Sequence, residues 1–104
     1  MPESPDPSPQ QRLLGRWRLM QADPALDFAP NARMEFLAGG RLHYAFEVGP
    51  HRQQVAMVYR VEDDMLHTEV LETAHELSAP FAFGPGEVLI IDFAGRRAIF
   101  IREI

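Results

Sequence analysis

The side chains that could bind a metal ion are spread over separate parts of this sequence. Its four histidines, His43, His51, His67 and His75, lie on four different segments. The pair His75-Glu76 is not followed by a second histidine at the spacing that a zinc-binding helix requires. The sequence has no cysteine, which removes disulfides, thiolate catalysis and most structural zinc sites. We therefore predict solvated histidines, no metal site and no cofactor.

Groups for acid–base or nucleophilic catalysis are equally dispersed. No nucleophile motif surrounds Ser78, and no glycine-rich phosphate loop opens a helix. The carboxylates of Asp63 and Asp64 are adjacent but lie in a predicted turn, where solvation explains them. An active site built from Glu47, Glu69 and a histidine inside the fold stays open, because such groups converge only in three dimensions. The sequence favours a protein that is not an enzyme.

Charge and length limit the partners and the number of domains. All ten basic side chains are arginines, scattered among fifteen acids, and the net charge is -5. Proteins that bind nucleic acid gather positive charge on one face, so we predict no nucleic-acid partner. A length of 104 residues, 46% of them hydrophobic, suits one domain with one core.

The first eight residues differ in composition from the rest of the chain. They contain three prolines and two acids but no apolar stretch, which argues against a signal peptide and against a membrane span. We therefore expect a cytoplasmic protein with no membrane partner. Residues 1–8 are too polar to form a packed core, so they are predicted to be a disordered leader, and residues 9–104 are predicted to form the domain.

The elements of the domain follow from the spacing of apolar residues. Ser8, Pro9 and Gln11 match a helix capping box, which predicts a short helix that ends near Gly15. After Gly15 the apolar period is two, as in half-buried strands. We count eight strands, which contain in turn Trp17, Met34, Leu42, Val55, Leu66, Phe81, Leu89 and Ile99. Two connections, at residues 22–31 and 72–80, are long.

The short connections favour consecutive strands that are neighbours in the sheet. Most of them could not hold a crossover helix, which indicates an antiparallel meander. Eight short strands in one small domain avoid exposed sheet edges most simply by closing on themselves. The sequence therefore predicts an all-β fold, a small eight-stranded antiparallel up-and-down β-barrel with a short N-terminal helix.

The segment Leu13-Leu14-Gly15-Arg16-Trp17 resembles the opening of lipocalins and of the short bacterial lipocalin-like domains, which are calycin-type β-barrels. Further matches in order and spacing extend the resemblance from residue 13 to residue 103; they are Met34-Glu35-Phe36, Tyr59-Arg60-Val61 and Ile99-Phe100-Ile101-Arg102. The resemblance implies a lipocalin-like barrel whose base is plugged by Trp17, with Arg102 packed over it. The signal peptide, cysteines, terminal helix and long strands of secreted lipocalins are missing.

The inward phase of the strands defines a candidate ligand site. Its residues are Trp17, Met34, Phe36, Tyr44, Phe46, Met57, Tyr59, Thr68, Phe81 and Phe83, with Leu19, Leu42, Leu89 and Ile91 on the same faces. One interpretation is a cup in which the hydroxyls orient a small apolar or amphipathic molecule, so that the protein is a carrier or sensor. The other is a barrel packed solid by its own side chains. The protein would then be a non-enzymatic interaction module that acts through its outer surface.

The last two strands are apolar on both faces. Val88, Ile90, Ala98 and Phe100 point outward in one phase of the alternation, and their neighbours do so in the other. Contiguous exposed apolar patches usually mark contact surfaces. The sequence therefore favours a homodimer through strands seven and eight, with coverage of the patch by loops or by the N-terminal segment as the alternative.

Overall fold

The computed structural model describes residues 9–26 and 31–103, so the predicted leader, residues 1–8, lies outside the described residues. The elements are α1 (Pro9–Leu13), β1 (Gly15–Ala22), a 3₁₀ turn (Pro24–Leu26), β2 (Arg33–Leu37), β3 (Arg41–Val48), β4 (His51–Glu62), β5 (Met65–Val70), β6 (His75–Gly84), β7 (Val88–Phe93) and β8 (Arg96–Arg102). The described helices are all too short to cross a membrane. The all-β prediction, with its short N-terminal helix, is confirmed.

The eight strands form one closed sheet in which each strand pairs with its neighbours in the chain. Every pairing is antiparallel, and β1 closes the barrel by pairing with β8. At this seam Trp17 lies opposite Arg102, and Leu19 lies opposite Phe100. A β-bulge between Leu19 and Gln21 interrupts the register. The predicted up-and-down barrel is therefore confirmed.

The two ends of the barrel differ in what lies across them. The helix α1 and the turns that follow β2, β4 and β6 lie at one end, which we call the base. The connections that follow β1, β3, β5 and β7 lie at the other end, which we call the mouth. This division follows directly from the alternating direction of antiparallel strands.

The core is made of the inward side chains of the strands together with one residue of α1. The largest fully buried side chains are Leu13, Trp17, Phe36, Leu42, Leu89, Ile91 and Phe100. Most of them come from the base half of their strands, and removal of their apolar surface from water is what stabilises the closed sheet.

The start of β6 differs from the prediction. This strand begins at His75, so the long connection predicted over residues 72–80 is mostly strand, and only residues 71–74 form the turn. The polar residues and the proline in this stretch concealed the alternation, because Leu77 and Ala79 continue the inward phase of Phe81. The wall of the barrel is therefore taller on this side than expected.

The structure decides the phase of β8, which the sequence left open. Ala98 and Phe100 point into the barrel and are buried, whereas Ile99 and Ile101 point outward. Because residues 98–101 of β8 are all apolar, the sequence does not show which of them point inward. The pairing with β1 and β7 determines this.

Candidate functional site

The base of the barrel is closed by Trp17. Its side chain is fully buried, and its indole Nε1–H donates a hydrogen bond of 2.8 Å to the carbonyl oxygen of Leu13. A buried indole has one polar group, so this bond satisfies it completely. Trp17 thereby holds the end of α1 against the start of β1.

Arg102 fixes the same corner from the last strand. Its guanidinium lies 4.2 Å from the centroid of the Trp17 ring, donates to the carbonyl oxygens of Arg12 and Leu14, and pairs with Glu87 at 2.7 Å. The last carbonyl groups of a helix have no partner within the helix, and a cation there satisfies them. Trp17 and Arg102 therefore close the base of the barrel in direct contact with each other.

Aromatic rings fill the base half of the lumen. Phe36 and Tyr59 meet edge to face at 5.0 Å, and Phe81 and Phe83 do so at 5.7 Å. Trp17 lies 6.2 Å from Phe83. The Tyr59 hydroxyl donates to the carbonyl oxygen of Leu37 at 3.1 Å. These contacts make the base half a packed core.

The mouth half of the lumen is hollow. It contains a cup of about 430 Å³ that lies above the aromatic core. Thirteen residues line it, namely Leu26, Met34, Leu42, Tyr44, Val55, Met57, Leu66, Thr68, Val70, Leu77, Ala79, Ile91 and Phe93. The two interpretations of the lumen thus each describe one half of it, since the base is solid and the mouth half is open.

Two of the residues that line the cup have polar side chains, Tyr44 and Thr68, and each carries a hydroxyl group. Burial raises the pKa of Tyr44 above its ordinary value of 10.0, so its hydroxyl stays uncharged even in mildly alkaline solution. None of the thirteen lining residues carries a formal charge at neutral pH. The cup is therefore suited to molecules that are uncharged where they enter it.

The wall of the cup is interrupted between β6 and β7. Pairing of these strands covers Phe81 to Gly84 and stops at Pro80, which has no backbone N–H to donate to a neighbouring strand. Beyond this point Leu77 and Phe93 flank the interruption, and both line the cup. Leu77 points inward yet is 44% exposed, so the cup reaches solvent on this side.

The predicted site residues divide between the cup and the core. Met34, Tyr44, Met57 and Thr68 line the cup. Trp17, Phe36, Tyr59, Phe81 and Phe83 belong to or pack against the core below it. Phe46 lies closer to the mouth, with its ring 5.4 Å from that of Tyr44, and does not line the cup. Val55 and Leu77 do line the cup. They continue the inward alternation of Met57 and Ala79, so the sequence pattern could have identified them.

A serine and a histidine meet on the outside of the barrel. His67 Nδ1 and Ser78 Oγ are 2.6 Å apart on paired positions of β5 and β6. Among the described residues, the carboxylate nearest to His67 Nε2 belongs to Glu62 at 3.8 Å, beyond hydrogen-bonding distance, and it pairs with Arg60. Within this part of the chain the imidazole has no orienting acid of the kind found in a catalytic triad.

The other acids considered for catalysis do not enter the cup. Glu69 lies in an outer depression beside Glu76, and Glu47 accepts a hydrogen bond of 2.9 Å from Asn31. Within residues 9–26 and 31–103, no three histidine or carboxylate side chains are grouped so that they could hold a metal ion.

Comparisons with protein-family models, with curated proteins and with solved structures give no match for this chain. The class of protein is defined by its fold, which is a closed eight-stranded antiparallel β-barrel consistent with a calycin-like fold. Within this barrel, an apolar cup lies above an aromatic core.

Proposed function

We propose that the protein binds a small uncharged molecule, apolar or amphipathic, in the cup of a lipocalin-like barrel and acts as its carrier or sensor. The observation that carries this proposal is the cavity of about 430 Å³ with apolar walls and two hydroxyl groups. Cavities of this size and polarity are typical of sites for small molecules, where a few polar groups fix the orientation of the ligand.

The lipocalin-like part of the proposal rests on the base of the barrel. A short helix lies across the base, the glycine of a G-x-W segment opens β1, and the arginine that ends β8 lies over the tryptophan. These are the features that the resemblance implies, and they occur together around Trp17 and Arg102.

The affinity of the cup follows from the apolar surface that a ligand would bury. If about 300 Å² of ligand surface leaves water, at about 25 cal/mol per Å² the gain is about 7.5 kcal/mol. Loss of translational and rotational freedom reduces this gain. Since a Kd of about 1 μM corresponds to about 8 kcal/mol, we expect Kd values in the micromolar range or weaker.

The ligand is inferred to be uncharged because the cup offers no counter-ion. An ionised carboxylate or ammonium group placed between Met57 and Thr68 would lose its hydration without a partner of opposite charge. A hydroxyl, carbonyl or amide group would instead find the side chain of Thr68, whose hydroxyl makes no hydrogen bond to another described residue. An alcohol, ketone, amide or aromatic compound therefore fits better than a salt.

The test is a titration with N-phenyl-1-naphthylamine, a neutral probe whose fluorescence rises in apolar surroundings. We expect one binding site per chain. Val55→Trp fills the cup and should weaken binding at least tenfold, whereas Val58→Trp adds the same volume to the outer face of the same strand and should leave binding unchanged. Absence of binding, or equal weakening by both substitutions in folded protein, would refute the cup as the site.

A further inference from the structure

The outer face of β8 carries an ordered series of side chains. Arg97, Ile99 and Ile101 point outward in alternation with the buried Ala98 and Phe100, and Glu103 follows in the same phase immediately after the strand. Along the outer face of β8, the side chains are therefore, in order, a cation, two apolar groups and an anion.

An apolar surface surrounds the middle of this series. Ile99 lies opposite Ile90 of β7, and Ile101 lies opposite Val88. All four are partly exposed. Two exposed neighbours extend the surface, Met20 at the bulge of β1 and Ala82 on β6. We call these six residues the outer apolar strip; they are Met20, Ala82, Val88, Ile90, Ile99 and Ile101.

A two-fold rotation that generates a second copy would bring the opposite charges at the two ends of this series together. An axis that lies in the plane of the contact, perpendicular to β8 and between Ile99 and Ile101, exchanges the ends of the series. Arg97 then faces Glu103 of a second copy, Ile99 faces its Ile101, and each contact occurs twice. This is the self-complementarity that an isologous interface requires.

The charged groups at the ends are placed to make these contacts. Among the described residues, Arg97 makes no ion pair, and the carboxylate of Asp92 across from it accepts a hydrogen bond of 2.6 Å from the backbone of Gly95. Glu103 lies 3.3 Å from Arg33. A carboxylate has room for more than one cationic donor, so Glu103 can keep Arg33 and receive Arg97 of the second copy.

We propose that the outer apolar strip is a homodimer interface in which two copies of β8 lie antiparallel, face to face, with Arg97 of each copy paired with Glu103 of the other. The strip crosses four strands, roughly 15 Å, and the charged series spans about 20 Å along the strand. Two such surfaces bury on the order of 600–1,000 Å² in total, which is less than the roughly 1,200 Å² of stable specific interfaces and falls among weak, transient ones. We therefore expect a reversible dimer, with a Kd on the order of tens of micromolar set by the paired charges as well as by the area.

The experiment is sedimentation equilibrium of the full chain over a range of concentrations up to 200 μM. The monomer has a mass of 11.8 kDa, and the wild type should approach twice that value. Arg97→Glu and Glu103→Arg should each weaken the dimer at least tenfold, because each places like charges opposite one another across the two-fold axis. The double exchange restores opposite charges and should recover most of the wild-type association.

The control is Arg96→Glu, which changes the net charge by the same amount as Arg97→Glu but at the neighbouring position. Arg96 pairs with Asp23 of its own copy at 3.6 Å. It should leave the dimer intact. A wild type that stays monomeric at 200 μM overturns the proposal. Dimers that resist both single exchanges, or that the double exchange fails to restore, overturn the pairing of Arg97 with Glu103. Binding of the neutral probe should be unchanged in all these variants, since the strip and the cup are on opposite faces of the wall.

Discussion

The guanidinium of Arg102 lies 4.2 Å from the ring centroid of Trp17, and the two residues face each other across the seam where β8 closes on β1. Gly15 makes this arrangement possible. Its φ is +120°, and a Cβ at this position would lie 2.7 Å from one terminal nitrogen of Arg102. The glycine, the tryptophan and the arginine are therefore one structural unit that joins helix, first strand and last strand.

Gly15→Ala should destabilise the protein by about 2–3 kcal/mol, because it strains a backbone conformation that favours glycine and displaces Arg102 from the helix carbonyls. Urea denaturation measures the loss. Gly49→Ala is the matched control, since its φ of +59° also favours glycine but nothing lies within 4 Å of the added Cβ. Its cost should be about 1 kcal/mol. Equal losses in the two variants would contradict the contact between Gly15 and Arg102.

Trp17→Ala should cost about 3–5 kcal/mol, as expected for a large buried aromatic side chain. The substitution leaves a cavity in the base core and removes the hydrogen bond to Leu13. Denaturation of Leu71→Ala, where the side chain is 57% exposed, provides a comparison and should show a change of about 0.5 kcal/mol or less. A loss below about 1 kcal/mol for Trp17→Ala would mean that the indole is not a core group.

Stability should fall above pH 10 because of Tyr44 and Tyr59, the two tyrosines of the chain. Burial raises the pKa of both above the ordinary value of 10.0. The burial of the neutral phenols stabilises the fold fully below pH 10, and this contribution is lost as the pH rises through the folded pKa values, because the unfolded chain ionises first. Absorbance at 295 nm should give a higher midpoint in the native protein than in urea. Coincident midpoints would contradict the burial.

Much of the fold could be predicted from the sequence because local rules decide it. The period of two after Gly15, and connections too short for a helix, lead to an antiparallel meander, and closure then removes its edges. The sequence also singled out Trp17 and Arg102, which lie in contact across the seam. These features depend on residue order and spacing, which a sequence displays directly.

The division of the lumen could not be predicted, since it depends on volumes that meet only in the closed barrel. Inward-pointing residues of the same phase differ in where they lie. The phenylalanines belong to or pack against the core, namely Phe36, Phe81 and Phe83, whereas Met57 and Thr68 line the cup. The phase of β8 was equally hidden, because Phe100 and Ile101 are both apolar and only the pairing with β1 separates them.

Ser78→Ala should leave the slow hydrolysis of p-nitrophenyl acetate unchanged. Among residues 9–26 and 31–103, no acid is hydrogen-bonded to His67 behind its contact with Ser78, since the carboxylate of Glu62 is 3.8 Å from the imidazole and is paired with Arg60. Without an orienting carboxylate a serine triad loses about 10⁴ in rate. Stopped-flow absorbance in the pre-steady state, with the ester in excess over the protein, is the measurement. A burst of nitrophenol in the wild type that disappears in Ser78→Ala would establish a nucleophilic serine and contradict this prediction.

Thr68→Val should alter the preference of the cup between two ligands of similar shape. Valine and threonine have nearly the same volume, but valine cannot hydrogen-bond, so only a ligand with a polar group should be affected. We expect 2-naphthol to bind about 5- to 10-fold more weakly to the variant, a loss of about 1–1.4 kcal/mol. The affinity of 2-methylnaphthalene should stay within about twofold, because its contacts with the apolar wall are retained. Displacement of N-phenyl-1-naphthylamine gives both affinities.

Thr73→Val is the control, since Thr73 lies in the turn between β5 and β6 and does not line the cup. It should change neither affinity. Equal weakening of both ligands by Thr68→Val would mean that the substitution distorts the cup rather than removing a hydrogen bond.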